Sequence, residues 1–240
     1  MSRVLHQMIQ VSVADGTKMD IYEAYPQDRE GKHLPGVMLF QEAFGVNDHI
    51  REVARRIAAE GYVVMAPELY HRTGPGFVCS YTEFGAASKH LQALTLQGLE
   101  QDIQATAQAL RAHPAADPNA LVSIGFCLGG RVSFLAATIL PLRASACFYG
   151  GGIAEQLLDR VPNIQTPLLL CWGGQDKHIT ADKIQAITAA LDAQQKDYVN
   201  VVFSKADHGF FCDARASYHP VSAAAAWELV KIFFRQHLNK

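Results

Sequence analysis

The 240-residue chain lacks the features that mark several protein classes. Only 18% of its residues are charged, and 21 Lys and Arg stand against 23 Asp and Glu, a formal net charge of -2 with the ten histidines neutral. No basic excess exists to steer it onto nucleic acid. There is no stretch of about 18 uncharged apolar residues, the length a membrane span requires. The apolar runs Ala144 to Tyr149 and Pro167 to Trp172 have the length of buried strands. The opening MSRVLHQMIQVSVADG has neither the apolar centre nor the small-residue cleavage site of a secretory signal, so a cytoplasmic location is expected. Cysteines are few and odd in number: Cys79, Cys127, Cys147, Cys171 and Cys212, with no CxxC pair. That spacing indicates neither a disulfide framework nor a zinc site, and it fits a reducing compartment. His49, His71 and His178 lack metal-ligand spacing such as HExxH, and no metal or organic cofactor is expected.

What is present is the composition of a globular protein. Hydrophobic residues reach 49%, while 18 Gly and 10 Pro are near ordinary usage, which excludes disordered, collagen-like and coiled-coil chains. Rough alternation over Met8 to Val13 and Met19 to Tyr25, around Asp15-Gly16, predicts an antiparallel edge hairpin. Six short apolar runs follow: Gly36 to Gln41, Tyr62 to Pro67, Leu121 to Phe126, Ala144 to Tyr149, Pro167 to Trp172 and Val199 to Ser204. Runs of this kind are typical of parallel strands covered on both faces. Helical patterns lie between and after them, at His49 to Glu60, Glu83 to Ala112, Leu128 to Leu140, Thr180 to Gln195, and Ser222 to His237 with its stripe of Trp227, Val230, Phe233 and Phe234. Alternating strands and helices with no repeat or linker predict one doubly wound α/β domain over 1–240, a mostly parallel sheet with helices on both faces. In such a sheet functional residues gather at the carboxyl ends of the strands.

Four candidates sit at such ends. Gly125-Phe126-Cys127-Leu128-Gly129-Gly130 has the form of a nucleophile elbow, G-x-S-x-G, with Cys in place of Ser. Its glycines permit a strained strand-to-helix turn, and the helix dipole at that N-terminus favours a thiolate on Cys127. The glycines do not fit GxGxxG, so a dinucleotide fingerprint is the weaker reading. A thiol needs a base, and His208 in Asp207-His208-Gly209-Phe210 lies just past the run Val199 to Ser204. Chain order then calls for an acid between them, and Asp176 in Gly173-Gly174-Gln175-Asp176 is in that place, with Asp182 and Asp207 as fallback acids. Glu42 follows the run Gly36 to Gln41, in the loop that supplies one oxyanion-hole amide in such folds. The two amides would be those of Ala43 and Leu128. A carboxylate beside an oxyanion hole is odd, so Glu42 either has a proton to move, is tied to a basic partner such as Arg72, or simply caps the next helix.

These residues carry a resemblance. From the edge hairpin to the final helix the chain resembles the dienelactone hydrolase family of α/β-hydrolases, in QEAFGVN (41–47), GYVVMAPELY (61–70), GFCLGG (125–130), GGQD (173–176) and DHGF (207–210). The resemblance implies a Cys127, Asp176, His208 triad. It also implies that Glu42 holds the resting thiol and helps generate the thiolate once substrate displaces it. The chain departs from the pattern of family members that act on carboxylate-bearing lactones, which have an Arg and a Tyr on the helix after the fourth sheet segment and an Arg four residues beyond the catalytic His. Here no Arg lies between Arg72 and Arg111, and Cys212 stands four beyond His208. Arg72, Lys89, His90 and Arg215 are the possible substitutes.

The expected activity is hydrolysis of a lactone or small carboxylic ester through a Cys127 acyl-enzyme, without cofactor, by a monomer or homodimer that binds neither nucleic acid nor membrane. A thioesterase or general carboxylesterase would use the same machinery. Outside catalysis, the alternatives are a silent binding protein on the same fold and a redox sensor with Cys212 as resolving thiol. Phe44, Tyr70, Tyr81, Phe126, Tyr149, Phe210 and Tyr218 are aromatics near the presumed mouth, mostly core; Phe44 and Phe210, with Arg72, are the candidates to line the substrate site.

Overall fold

The computed structural model describes residues 3–28 and 31–238. Its backbone groups into two compact units, 1–122 and 123–240. The first holds strands β1 (Val4–Ser12), β2 (Lys18–Pro26), β3 (Leu34–Phe40) and β4 (Val63–Pro67), with helices α1 (Asp48–Ala59), α2 (Phe84–Ala93) and α3 (Leu96–Ala112). Strand β5 (Ala116–Phe126) runs across the division. The second unit then holds α4 (Leu128–Ile139), β6 (Ala144–Phe148), the short α5 (Ile153–Gln156), a 3-10 segment (Leu158–Asn163), β7 (Leu168–Gly173), α6 (Ala181–Ala193), β8 (Tyr198–Phe203) and α7 (Pro220–Leu238). The strands form one sheet in the order β1-β2-β4-β3-β5-β6-β7-β8. This is the expected α/β architecture, mostly parallel with an antiparallel hairpin at its start.

In the first unit the hairpin pairs Val4 with Pro26 through Ser12 with Lys18. Its turn closes because Gly16 takes φ 86° while Asp15 Oδ1 accepts from the Thr17 amide and hydroxyl at 3.0 and 2.6 Å. β2 joins β4 antiparallel and β4 joins β3 parallel. Every residue of β4 is buried, as a strand covered on both faces requires. Helix α1 starts where Asn47 Oδ1 accepts from the Ile50 amide at 3.2 Å, and it buries Ile50, Val53, Ala54 and Ile57, one face of an amphipathic helix.

The single helix expected over Glu83 to Ala112 is two. Leu94 is extended at ψ 132°, and Thr95 caps α3 by accepting from the Gly98 amide at 3.0 Å. A threonine hydroxyl at that position satisfies an otherwise unpaired first-turn amide, and the local pairing overrides the continuous periodicity.

In the second unit β6, β7 and β8 pair parallel. A buried serine cluster ties the elements around the elbow: Ser123 Oγ of β5 lies 2.8 Å from both Ser133 Oγ of α4 and Ser145 Oγ of β6. Strand β8 corrects another expectation. It is not covered on both faces, for Val199 and Val202 are 42% and 47% exposed. As the last strand in the sheet order it lacks the cover that an interior strand receives.

Candidate active site

The elbow is built by close backbone approach. A Cβ on Gly125 would collide with the Gly129 carbonyl, and one on Gly130 with the Phe148 carbonyl, so only glycine lets β5, α4 and the end of β6 come this near. Between these glycines Cys127 takes φ 55°, ψ -115°, a conformation that costs a side chain-bearing residue on the order of 1–3 kcal/mol and persists only where surroundings enforce it. They do so through the Cys127 amide, which donates to Phe148 O at 3.0 Å, and the Cys127 carbonyl, which accepts from Gly130 at 3.0 Å. Cys127 is half-buried and stands at the N-cap of α4. The helix therefore directs the positive end of its dipole and the Leu128 amide, which has no intrahelical acceptor, toward the same side.

Asp176 and His208 follow the ends of β7 and β8. Gly173 lets the two loops meet, since a Cβ there would lie 2.7 Å from Asp207 O and 2.8 Å from Ala206 O. Asp176 Oδ2 lies 2.7 Å from His208 Nδ1, while Asp176 Oδ1 accepts from the amides of His178 and Ile179 at 2.8 and 3.1 Å. Burial pushes the Asp176 carboxyl up, but the His208 hydrogen bond and charge and the two amides hold it below its ordinary value. For His208 burial works downward; hydrogen bonds to Asp176 and to Cys127 outweigh it and lift the imidazole to about 10. The structure thus brings Cys127, His208 and Asp176 together within residues 123–240. The carboxylate on His208 is that of Asp176 rather than a fallback: Asp207 Oδ1 accepts from the His208 backbone amide at 2.6 Å, and Asp182 bonds Thr180 at the start of α6.

Two further rings lie against His208. The Tyr149 ring centroid is 5.1 Å from that of His208 at an interplanar angle of 60°, and the His178 ring is 5.8 Å away. Tyr149 is among the aromatics expected near the mouth, but nothing in the sequence pairs either ring with His208.

In the first unit Glu42 is fully buried just after β3, and Ala43 and Phe44 are buried beside it. Their loop is fixed by Gln41, whose Oε1 accepts from the Leu69 amide at 3.2 Å, and by Tyr70, whose hydroxyl donates to Ala43 O at 3.0 Å. Phe44 packs on Tyr81 and Phe84. Arg72, weighed as a partner of Glu42 or of a substrate carboxylate, is engaged elsewhere: Nη1 and Nη2 each donate to Asp102 at 2.9 Å and Nε to Asp15 at 2.6 Å. Such a bidentate pair with a buried carboxylate is a structural use of the guanidinium. His90 is likewise withdrawn, its Nδ1 2.7 Å from Thr73 Oγ1 and its ring against Phe77. In the second unit Phe210 is fully buried among Phe148, Tyr149 and Phe203. With no exposed surface Phe210 packs as a core residue.

A strained cysteine between β5 and α4, and a carboxylate-held histidine reached from two later strand ends, define the α/β-hydrolase class. Residues 19–238 match the model of the dienelactone hydrolase family, and the chain belongs to that family. Among its relatives, a protein of Synechocystis provisionally assigned as a carboxymethylenebutenolidase is 39% identical over 214 residues, 85% of this chain and 87% of the relative. A crystal structure from Klebsiella pneumoniae, provisionally assigned as a dienelactone hydrolase, superposes with TM-score 0.89 at 32% identity over 98% of this chain and 99% of the other. A dienelactone hydrolase-like promiscuous phosphotriesterase from metagenomic libraries gives TM-score 0.84 at 26% identity, covering 96% and 98%. The chain is accordingly a hydrolase of carboxylic ester or lactone bonds. No helix among the described residues is long and apolar enough to cross a membrane.

Proposed function

We propose that the protein hydrolyses a lactone or small carboxylic ester by covalent catalysis through Cys127. The observation that carries this reading is the chain of contacts from Asp176 through His208 to Cys127, which raises the imidazole to about 10. An imidazole that basic is protonated at neutral pH and stands beside the sulfur as a cation, the arrangement that activates a cysteine nucleophile.

In the first step the Cys127 thiolate attacks the carbonyl carbon, a C–S bond forms, and the carbonyl electrons move to oxygen. The Leu128 amide meets that oxyanion, a donor of the kind whose removal costs about 3 kcal/mol of barrier elsewhere. Collapse breaks the C–O bond, and the leaving alkoxide takes the proton from His208. In a lactone the leaving group stays tethered to the acyl-enzyme. Neutral His208 then removes a proton from water, hydroxide adds to the thioester, the C–S bond breaks, and the thiolate and imidazolium return. Asp176 holds Nδ1 throughout and stabilises the cation. The role of Glu42, as the carboxylate that holds the resting thiol, rests on the family resemblance alone, and that of the Ala43 amide, as second oxyanion donor, on its place in the loop after β3. None of these steps calls for a metal or cofactor. The chain is read as a single domain over 1–240 from its unbroken alternation of strands and helices, and a cytoplasmic setting from the number and spacing of its cysteines.

The test is turnover of a dienelactone and of a short-chain aryl ester by the wild-type protein and by Cys127→Ala, with iodoacetamide inactivation in parallel. Loss of turnover in Cys127→Ala and alkylation of wild type faster than a free thiol are expected. Turnover that survives the substitution sinks the proposal. The ratio of the two activities reports whether a substrate carboxylate is recognised without the family arginines.

A further inference from the structure

We propose that Tyr149 is a positioning residue that couples the base to the nucleophile, its ring setting the orientation of the His208 imidazolium while the preceding carbonyl holds the strained turn of Cys127. The proposal rests on the reading of Cys127 and His208 as nucleophile and base.

Only three non-glycine residues among those described have positive φ: Cys127, Tyr149 and Gln195, at 55°, 35° and 51°. Gln195 ends α6, where a left-handed residue is ordinary. The other two are joined by a single hydrogen bond, since Phe148 O, the carbonyl of the peptide entering Tyr149, accepts the Cys127 amide at 3.0 Å. The Tyr149 amide in turn donates to Cys171 O at 2.8 Å. Tyrosine is a poor choice for φ 35° on backbone grounds, and glycines stand in the next three positions, where any of them would relax such a turn. The side chain explains the choice. Fully buried, it packs against Phe126 and Phe210 and presents its ring to His208 at 5.1 Å. That separation lies within the ~6 Å over which the face of an aromatic ring attracts a cation, and in this edge-to-face pair the imidazole edge is proposed to meet that face. The backbone that reaches the nucleophile is thus that of Phe148, and the ring that reaches the base is that of the next residue, Tyr149.

The groups that face His208 within residues 123–240 are Asp176 on Nδ1, Cys127 across the ring, Asp207 on the backbone amide, His178 at 5.8 Å and Tyr149. Tyr149 meets the imidazole with its ring. It acts by favouring the cation, which raises the pH at which the imidazolium is lost.

The experiment measures kcat, KM and the pH profiles of kcat/KM and of Cys127 alkylation for wild type, Tyr149→Phe and Tyr149→Leu, with Cys127→Ala as control. Tyr149→Leu should lower kcat about tenfold with KM changed less than about twofold, and its pH profile should narrow on the alkaline limb. Tyr149→Phe, which keeps the ring, should keep the wild-type width. A wild-type width in Tyr149→Leu overturns the proposal, as does equal damage in Tyr149→Phe, which would shift the role to the hydroxyl. If the leucine side chain prevents folding, ring-fluorinated phenylalanines at position 149 preserve the shape while weakening the ring's attraction for a cation. A graded narrowing across that series supports the proposal and an unchanged width overturns it. Activity retained in Cys127→Ala fails the nucleophile reading itself, a result separable from any behaviour of the Tyr149 variants.

Discussion

Among the described residues two Asp–His side-chain pairs lie one in each compact unit, and their surroundings differ. In the first, Asp102 Oδ1 is 3.1 Å from His71 Nε2, and the other imidazole nitrogen faces the Lys18 carbonyl at 3.1 Å. Arg72 closes the carboxylate bidentately and reaches on to Asp15, whose carboxyl is held well below its ordinary range by hydrogen bonds first from Thr17 and then from Arg72. Every polar atom of that pair is met by a fixed partner, and neither nitrogen of His71 is left for a reacting proton. In the second pair Asp176 is held by two backbone amides, and His208 turns its far side to a thiol, a group that gives and takes a proton. The side chain of His71 is 1% exposed and that of His208 is 15%. A buried Asp–His pair is thus not by itself a signature of catalysis. What the third partner can do with a proton decides.

Breaking the second pair should cost activity, and breaking the first should cost stability. The largest effect is expected for Cys127→Ala, with turnover down by about 10⁵-fold or more and the fold retained, as steady-state kinetics and circular dichroism together will show. Asp176→Asn should lower kcat by about 10⁴-fold, because the amide holds the wrong tautomer of His208, an effect that far outweighs its loss of stability. Asp102→Ala should do the reverse. With Arg72 and His71 left facing a vanished carboxylate, it should destabilise by about 3 kcal/mol, measured by urea unfolding, and leave kcat/KM within a fewfold once folded protein is counted. If Asp102→Ala abolished turnover without lowering stability, the contrast between the pairs would be lost.

A smaller effect follows from pH. His208 is lifted in the fold from its ordinary 6.5 to about 10, so its contribution to stability is complete below about 6.5 and is lost as pH rises through about 10. Asp176, lowered by its partners, has the opposite sense and loses its contribution as pH falls through its folded value. Melting temperature should therefore decline from neutral pH toward 10 in wild type and decline less in His208→Gln, as differential scanning fluorimetry across that range will report. The smallest effect belongs to the exposed face of β8, where Val202→Thr should change stability by no more than about 0.5 kcal/mol in the same urea assay.

Much of this was legible in the chain. The apolar runs at Gly36 to Gln41 and Tyr62 to Pro67 are buried strands because nothing in them is polar enough to face water. The elbow was legible because its glycines are a steric requirement, written in the sequence wherever backbone must touch backbone. The helix break at Thr95 was not, since a capping threonine looks like any other until the chain around it turns. Nor was the use of Arg72, whose partner Asp102 lies 30 residues on along a helix that read as one long amphipathic run.

The sequence by itself determined the α/β alternation, the strained strand-to-helix turn at Cys127, and the order of thiol, acid and histidine at successive strand ends. These depend on local sterics and on periodicity, which neighbouring residues encode. Only the tertiary structure decided that Asp176 and not Asp182 or Asp207 meets His208, that Arg72 serves Asp102, that Phe210 is fully buried, and that the Tyr149 ring lies against His208. Those pairings join residues far apart in the chain, and which of several similar side chains comes within 3 Å of a given nitrogen follows from packing that no local pattern records.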